Sequence, residues 1–211
     1  MVGITGANGF IGRHLLRRIP TAYTFTGNLL TDDICSLKDC DLIYHCAFVN
    51  RGTNYDIIKN GISTTLRLKE NCKGSIVFLS SIRAEENSVY GITKKACELL
   101  MDNKKDIIIR LPHIFGYGQD LKNSVVSMFC YNIANKQEPS VTKDKMLNLV
   151  YIDEAIDSLL ELKAPELTNC VYVSELKEIL LRLARERNPQ TTFESQLYKT
   201  YLQYDLFKHT C

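Results

Sequence analysis

A glycine-rich turn near the amino terminus constrains the fold of this chain more than any other feature. The apolar run VGIT is followed by GANGFIG, which places Gly6, Gly9 and Gly12 ahead of a helical pattern over residues 13–19. Glycine is needed where the backbone turns with positive φ and where a pyrophosphate approaches the N–H groups of a helix N-terminus. The order strand, turn, helix therefore predicts a dinucleotide-binding βα unit; the alternative is a tight βα turn that binds nothing.

Strands and helices alternate along the first half of the chain. Apolar runs predict strands at 22–26, 41–47, 75–79 and 106–111. Helical periodicity predicts helices at 54–72 and 90–101. Such alternation predicts an α/β fold with a Rossmann-type, doubly wound parallel sheet. Gly61 in the interior of the first of these helices costs about 1 kcal/mol relative to alanine, so we expect it to permit close packing.

The second half predicts a smaller lobe beside the sheet. We expect residues 1–115, completed by a strand at 147–153, to form the dinucleotide-binding Rossmann region. Residues 116–146 and 161–211 are expected to form a small C-terminal substrate-binding lobe. We predict three helices in the second half of the chain: Ser124–Ala134, 154–163 with Asp153 as N-cap, and a helix capped by Ser174 that runs to Arg187.

Composition excludes several classes of function. The net charge of +2 gives no basic excess of the kind that binds nucleic acid or an anionic membrane. No apolar run approaches the ~20 residues that span a bilayer, and the start MVGITGANG has no targeting layout. The eight cysteines include no CxxC pair and no zinc-site spacing. We therefore expect a cytoplasmic protein with reduced thiols and no metal site.

The stretch SSIRAEENSVYGITK, residues 80–94, contains a candidate proton-transfer site. If Tyr90 begins a helix, Lys94 lies one turn along the same face, where its ammonium lowers the cost of forming a phenolate. The preceding strand delivers Ser80 and Ser81 at its C-terminal end, where parallel sheets bind ligands. A tyrosine and a lysine at this spacing also occur on many helices without any catalytic role.

The end of the second strand bears on the choice of cofactor. NAD-binding proteins place an acidic residue there for the ribose 2′-hydroxyl, whereas this chain has Gly27 and Asn28. A 2′-phosphate would not be repelled, and Arg13 at the head of the first helix offers a charge for it. We therefore expect NADP(H) to be favoured over NAD(H). His45, inside the third strand, is interpreted as a hydrogen-bonded core residue.

Five motifs in order resemble those of the extended short-chain dehydrogenases/reductases, the NAD-dependent epimerase/dehydratase family. They are TGANGFIG at 5–12, DLIYHCA at 41–47, Ser81, YxxxK at 90–94 and RLPHIFG at 110–116. Further stretches are similar to the reductase half of bacterial capsular-polysaccharide enzymes that make the UDP precursor of N-acetyl-L-fucosamine. These are FVNRG at 48–52, SSIRA at 80–84, NSVVSMFCYNIA at 123–134, LVYIDE at 149–154 and FESQLYKTYLQY at 193–204.

The resemblance implies reduction of the 4-keto group of a UDP-2-acetamido-2,6-dideoxy-hexulose by a nicotinamide cofactor. In those enzymes a metal-binding cupin that epimerises carbon 3 follows the reductase, and this sequence ends where the cupin would begin. We therefore expect reduction without cupin chemistry, with separate dehydratase and epimerase enzymes in the same pathway. The family also implies a homodimer through helices around 55–72 and 90–101.

The resemblance also assigns roles to individual residues. Ser81, Tyr90 and Lys94 are the implied catalytic set: Tyr90 donates the proton, Lys94 lowers its pKa and binds the nicotinamide ribose, and Ser81 hydrogen-bonds the carbonyl. Ser80 is the alternative if the strand is shifted by one residue. Tyr90 and Lys94 also belong to the implied cofactor site, whose other members are Gly6, Asn8, Gly9, Phe10, Ile11, Gly12, Arg13, Asn28 and Ala47.

The implied substrate site is less complete. With Ser81 it includes Asn50, Arg51, His113 and Asn123. An asparagine is common in the family where His113 stands, and Arg51 has an alternative role as a solvent-facing side chain. Asn60, which matches a family asparagine, is interpreted as structural.

The sequence is also compatible with two other functions. One is an epimerase that retains its NAD; relatives that epimerise and reduce at one site have a cysteine after the catalytic serine, where this chain has Ile82. The other is a non-catalytic relative that senses the cofactor. Intact residues at 81, 90 and 94 argue against it.

Overall fold

A computed structural model describes residues 1–121 and 124–206, which form two compact units. The first unit comprises Met1–Leu111 with Ile156–Ala164, and the second comprises Pro112–Ala155 with Pro165–Cys211. The elements of the first unit are β1 (Val2–Thr5), α1 (Phe10–Arg18), β2 (Tyr23–Phe25), β3 (Leu42–His45), α2 (Asn54–Asn71), β4 (Ser75–Ser81), α3 (Val89–Leu99) and β5 (Ile107–Leu111). Helix α5 (Ile152–Leu160) begins in the second unit and continues into the first.

The first unit contains a five-stranded parallel sheet in the order β2-β1-β3-β4-β5. Side chains of β3 alternate between its two faces. Tyr44 donates a hydrogen bond to the Leu159 carbonyl of α5 (3.2 Å), whereas His45 contacts Thr65 of α2. Helices thus cover both faces, which confirms the predicted doubly wound Rossmann-type fold.

Helix α2 shows why the local sequence forms these elements. Thr53 and Asp56 form a capping box, in which each side chain accepts a hydrogen bond from the backbone N–H of the other residue. Arg67 in the last third of the helix donates to the carbonyls of Leu29 (2.6 Å) and Asp32 (2.7 Å). Helix α2 therefore fastens the loop that follows β2.

The prediction for Gly61 of α2 is confirmed. A Cβ atom at this position would lie 2.7 Å from Thr93 Cγ2 and 2.8 Å from Phe48 Cζ. Those distances are shorter than van der Waals contact, so only glycine lets α2 approach α3 and Phe48 this closely.

The second unit is built on a three-stranded sheet. Its elements are β6 (His113–Phe115), α4 (Val125–Ala134), β7 (Met146–Tyr151), β8 (Asn169–Tyr172), α6 (Val173–Glu186) and α7 (Thr192–Leu206). Strand β7 is central, parallel to β6 and antiparallel to β8. Phe115 and Phe129 are fully buried in this unit.

Several boundaries in the second half differ from those predicted. The strand expected at 147–153 to complete the Rossmann sheet pairs instead with β6 and β8, because the break at Pro112 starts a second short strand that the sequence reading missed. Helix α5 begins at Ile152, so Asp153 lies in its first turn rather than at its N-cap. Ser174 bonds Asp144, and Tyr172 caps α6. Helix α7 was not predicted.

None of the helices formed by residues 1–121 and 124–206 is both long and apolar enough to cross a membrane. The seven cysteines between residues 35 and 170 are free thiols.

Candidate active site

The glycine turn between β1 and α1 is tightly packed against backbone. Gly6 has φ +67°, and a Cβ there would lie 2.7 Å from the Ala47 nitrogen. A Cβ on Gly12 would lie 2.2 Å from the Gly6 carbonyl oxygen, so a side chain at either position would push the turn apart. The N-cap of α1 is Gly9, which offers no side chain to the first N–H groups of the helix. These donors fit the pyrophosphate of a dinucleotide, which the turn would bind through its backbone.

The loop after β2 places the carboxylate of Asp32 beside Asn28. The Asn28 side-chain oxygen accepts from Leu30 N (2.9 Å), and Asn28 N donates to Asp32 Oδ2 (2.8 Å). That backbone hydrogen bond is the main reason why the pKa of Asp32 lies below its usual value. A carboxylate therefore lies at the strand end where the sequence reading expected none, which weakens the reason for expecting NADP(H).

His45 is a buried, hydrogen-bonded residue of the core. Its Nδ1 lies 2.9 Å from Thr5 Oγ1 and its Nε2 lies 3.4 Å from Thr65 Oγ1. Burial, followed by the charge of Lys94, lowers the pKa of His45 to about 3, so the imidazole is neutral at physiological pH. Thr5 Oγ1 also accepts from Ala47 N (3.3 Å), which connects β1 to the end of β3. The interpretation of His45 from the sequence agrees with these contacts.

The end of β4 and the start of α3 bring Ser81 and Tyr90 together. Ser88 caps α3 by accepting from Gly91 N (3.1 Å), so Tyr90 lies in the first turn. Burial raises the pKa of Tyr90, whereas a hydrogen bond with the Ser81 side chain and the positive charge of Arg83 lower it. Phe48 packs edge-on against the phenol ring, with centroids 5.7 Å apart. The pair can accordingly present two hydroxyl groups to one carbonyl oxygen.

Lys94 lies one turn further along α3 and is 4% exposed. Its Nζ donates to the Leu79 carbonyl (2.6 Å) and lies 5.8 Å from the centroid of the Tyr90 ring. Burial lowers the pKa of Lys94 to about 7, against the opposing effects of Cys97, Cys46 and Glu98. The groups that lower the pKa of Tyr90 are Ser81 and Arg83. The role of Lys94 toward the phenol stays a prediction.

Ser80, the alternative to Ser81, points to the opposite side of β4. It is buried, and its Oγ donates to Glu98 Oε1 (2.6 Å). Arg110 of β5 donates to both oxygens of Glu98, at 2.8 and 2.6 Å. Burial alone would raise the pKa of Glu98, but Arg110 and Ser80 hold it below its usual value. Ser80 is therefore part of a charged network that joins β4, α3 and β5.

The other predicted site residues are dispersed. Asn50 and Arg51 are exposed in the loop between β3 and α2. Asn60 donates to the Asp56 carbonyl (2.7 Å) within α2, which is the structural role expected of it. His113 lies in β6 of the second unit. Asn123 lies outside the described residues.

Sequence reasoning missed two residues that contact the proposed catalytic set. Phe48 packs against both Tyr90 and Lys94, and Arg83 lies over the Tyr90 ring. The sequence position of each residue could have indicated its role. Phe48 directly follows the cofactor-facing strand, and Arg83 comes two residues after Ser81.

Comparisons with known proteins agree with the fold and the motifs. No family model matches the sequence. The chain is 30% identical to UDP-2-acetamido-2,6-beta-L-arabino-hexul-4-ose reductase of Pseudomonas aeruginosa, an alignment that covers 95% of this chain and 64% of the relative. It also resembles the capsular polysaccharide assembling protein CapF of Staphylococcus aureus (26% identity, TM-score 0.75), covering 96% of this chain and 64% of CapF. The chain thus spans just under two thirds of both.

Two more distant structures share the fold over their whole length. RMD of Pseudomonas aeruginosa, solved with NADPH, has a TM-score of 0.77 at 16% identity, covering 98% of this chain and 99% of RMD. UDP-glucuronic acid 4-epimerase of Bacillus cereus, solved with NAD, has a TM-score of 0.80 at 14% identity, covering 100% and 98%. In motifs, fold and sequence this chain is similar to the extended short-chain dehydrogenases/reductases of the NAD-dependent epimerase/dehydratase type.

Proposed function

We propose that this protein reduces the 4-keto group of a UDP-2-acetamido-2,6-dideoxy-hexulose, in the biosynthesis of a UDP-linked N-acetylated 6-deoxy-L-hexosamine. The observation that carries the proposal is that Ser81, the last residue of β4, lies close enough to Tyr90 to lower the pKa of its phenol, with Lys94 on the same helix as Tyr90. Similarity to the Pseudomonas reductase over 95% of the chain supports the substrate class.

In the proposed mechanism this chain supplies the proton and orients the ketone. Ser81 donates a hydrogen bond to the carbonyl oxygen at carbon 4, and Tyr90 transfers its phenolic proton to that oxygen as negative charge develops on it. A nicotinamide cofactor, when bound, supplies the hydride to carbon 4. Lys94, whose Nζ donates to the Leu79 carbonyl of β4 and lies over the Phe48 ring, would bind the nicotinamide ribose.

For the cofactor we propose NADP(H) over NAD(H), on the basis of Arg13. This arginine is half-buried in the first turn of α1, and among the described residues no carboxylate pairs with it. Asp32 near Asn28 is the opposing charge, and it is fully exposed to solvent. Michaelis constants for NADH and NADPH, measured with wild type and with Arg13→Met, decide the preference. A preference for NADPH that survives the loss of Arg13 would contradict this assignment.

For the assembly we propose a homodimer in the cytoplasm. Tyr55, Ile58 and Leu66 form an exposed apolar stripe on α2, and successive members are three and eight residues apart. Ile92 and Leu99 of α3 are 54% and 79% exposed. Light scattering during gel filtration measures the mass, and Leu99→Asp is expected to yield a monomer.

The proposed reaction is tested by supplying UDP-4-keto sugars with reduced cofactor and identifying the product by NMR. Tyr90→Phe is expected to lower turnover by about a hundredfold or more while leaving cofactor affinity nearly unchanged. A Tyr90→Phe protein with full turnover would contradict the mechanism. Interconversion of two sugars without net oxidation of cofactor, together with NAD retained through gel filtration, would indicate an epimerase instead.

A further inference from the structure

Arg83 lies between the two proposed catalytic hydroxyl groups along the chain and close to one of them in space. It belongs to a short 3-10 helix, Ile82–Glu85, which directly follows β4. The central carbon of its guanidinium lies 5.2 Å from the centroid of the Tyr90 ring. This distance is within the range in which a cation and an aromatic face attract each other.

Two contacts fix Arg83 in this place. Its backbone N–H donates to Ser81 Oγ (3.2 Å), which sets the start of the 3-10 helix. Its side-chain Nε donates to Glu86 Oε2 (2.8 Å), so one edge of the guanidinium is occupied while the planar group still covers the Tyr90 ring. A planar, bidentate cation is well suited to stacking over an aromatic ring in this way.

Two positive charges near Tyr90, those of Arg83 and Lys94, differ in how they depend on pH. A guanidinium group carries a permanent charge, whereas the pKa of Lys94 falls to about 7 through burial. Lys94 Nζ is also directed to the Leu79 carbonyl and lies over the Phe48 ring at 3.6 Å. Arg83 is thus the fixed positive charge beside the phenol.

The remaining charged groups of this region are engaged with one another. Glu85 pairs with Arg110 (2.6 Å) and Lys95 (3.4 Å), and Glu98 pairs with the same Arg110 (2.6 Å) and Lys95 (3.6 Å). Glu86 is the counter-charge of Arg83, and its side chain is 48% exposed, so solvent screens it. The net field that Arg83 exerts on the phenol is therefore positive.

We propose that Arg83 is a positioning residue for Tyr90 whose permanent charge stabilises the phenolate formed in the reaction. The inference rests on the proposed function for the direction of proton transfer. The O–H bond of Tyr90 breaks, its proton joins the oxygen at carbon 4, and hydride from the reduced nicotinamide completes the alcohol. Negative charge is left on the phenolate, where it spreads into the ring that Arg83 covers. Arg83 itself neither gains nor loses a proton.

The first test is an NMR titration of the phenol that needs neither substrate nor turnover. Protein labelled with ¹³C at the tyrosine Cζ gives one signal for each of the 11 tyrosines, and Tyr90→Phe identifies the signal of interest. We expect Arg83→Met to move the Tyr90 titration to higher pH and Arg83→Lys to move it by a smaller amount. Lys95→Met, which removes one charge from a half-buried position of α3, is the matched control and is expected to leave it unchanged.

A second variant, Glu86→Gln, tests the proposal independently in case Arg83→Met does not fold. Glu86→Gln leaves Arg83 in place and removes its counter-charge, so the Tyr90 titration is expected to move to lower pH. If Arg83→Met and Glu86→Gln both titrate like wild type, the proposal is overturned.

Kinetics separate this proposal from the proposed function. In the reduction, kcat of Arg83→Met is expected to fall about three- to tenfold, in line with the loss of one cation–π contact, while KM changes little. The high-pH limb, along which activity falls as Tyr90 loses its proton, is expected to move to higher pH. Shifted NMR titrations without any reductase activity would contradict the proposed function alone, whereas activity with unshifted titrations would contradict the role of Arg83 alone.

Discussion

Lys94 Nζ lies 3.6 Å from the centroid of the Phe48 ring and 5.8 Å from that of Tyr90. The lysine head group is thus covered by an aromatic face and one backbone carbonyl rather than by water. Desolvation explains why its pKa falls to about 7, since burial penalises the charged form more than the ring and carbonyl stabilise it.

Replacing Lys94 with methionine should change how stability depends on pH. Between pH 7 and about pH 10 the unfolded chain holds a proton on this lysine that the folded protein does not, so wild-type stability rises with pH in that window. Lys94→Met should therefore be more stable than wild type below pH 7, by an amount that shrinks toward pH 10. Urea unfolding of both proteins at pH 6 and pH 9 measures the difference. A difference that is the same at both values would contradict the lowered pKa.

The serine pair should separate into a stability role and a chemical role. Ser80→Ala removes one hydrogen bond to buried Glu98 and should cost about 1–2 kcal/mol in the free energy of unfolding, with turnover largely retained. Ser81→Ala should lower turnover by roughly a hundredfold and cost no more than about 1 kcal/mol in stability, for the lost hydrogen bond from Arg83 N. Urea midpoints and initial rates of the two variants provide the comparison, and the reverse pattern would mean that the roles are exchanged.

Gly61→Ala should destabilise the protein although alanine is the better helix former. The gain in helix propensity is about 1 kcal/mol, whereas a methyl group 2.7 Å from Thr93 and 2.8 Å from Phe48 overpacks the contact by about 1–3 kcal/mol. Displacement of Phe48 should also uncover Lys94 and lower turnover. Glu70→Ala, at an exposed position of the same helix, is the control, and both effects should be absent from it.

His45 should contribute to acid unfolding. Its pKa is about 3 in the folded protein and about 6.5 in an unfolded chain, so the unfolded chain binds the extra proton and stability is lost as pH falls through this window. His45→Gln should be less stable than wild type at pH 7 but lose less stability between pH 6.5 and pH 4. Urea midpoints of both proteins at pH 6.5 and pH 4 measure this difference. If wild type and His45→Gln lose the same stability over this range, the buried imidazole is not held neutral.

The sequence predicted those parts of the fold that depend on neighbouring residues. The GANGFIG turn, the apolar strands and the helix that starts near Tyr90 each have a local signature, and each lies within a few residues of its expected bounds. The strand at 147–153 was assigned to the wrong sheet because its apolar pattern shows that it is buried but does not name its partner. Helix α7 was missed because its polar first turn, from Thr192, masks the apolar spacing of Leu197 and Tyr201.

The site was predictable in its residue types but not in its electrostatics. Spacing made Tyr90 and Lys94 candidates, and the resemblance supported them. The spacing also implied that Lys94 would lower the pKa of the phenol. That effect depends on where the lysine head group lies, and Phe48 and the Leu79 carbonyl, both distant in sequence, determine this position. The approach of Asp32 to Asn28 was likewise invisible, because a turn of the chain and Arg67 of α2 bring it there.

The different roles of Ser80 and Ser81 limit which sequence changes β4 can accept during evolution. Ser80 and Ser81 are chemically identical, and only the alternation of side chains across the strand makes one a structural hydrogen-bond donor to Glu98 and the other a partner of Tyr90. Inserting or deleting one residue in β4 would exchange the two serines between these surroundings without altering either. A point substitution in this strand therefore affects one of the two serines, whereas a single-residue change in its length affects both at once.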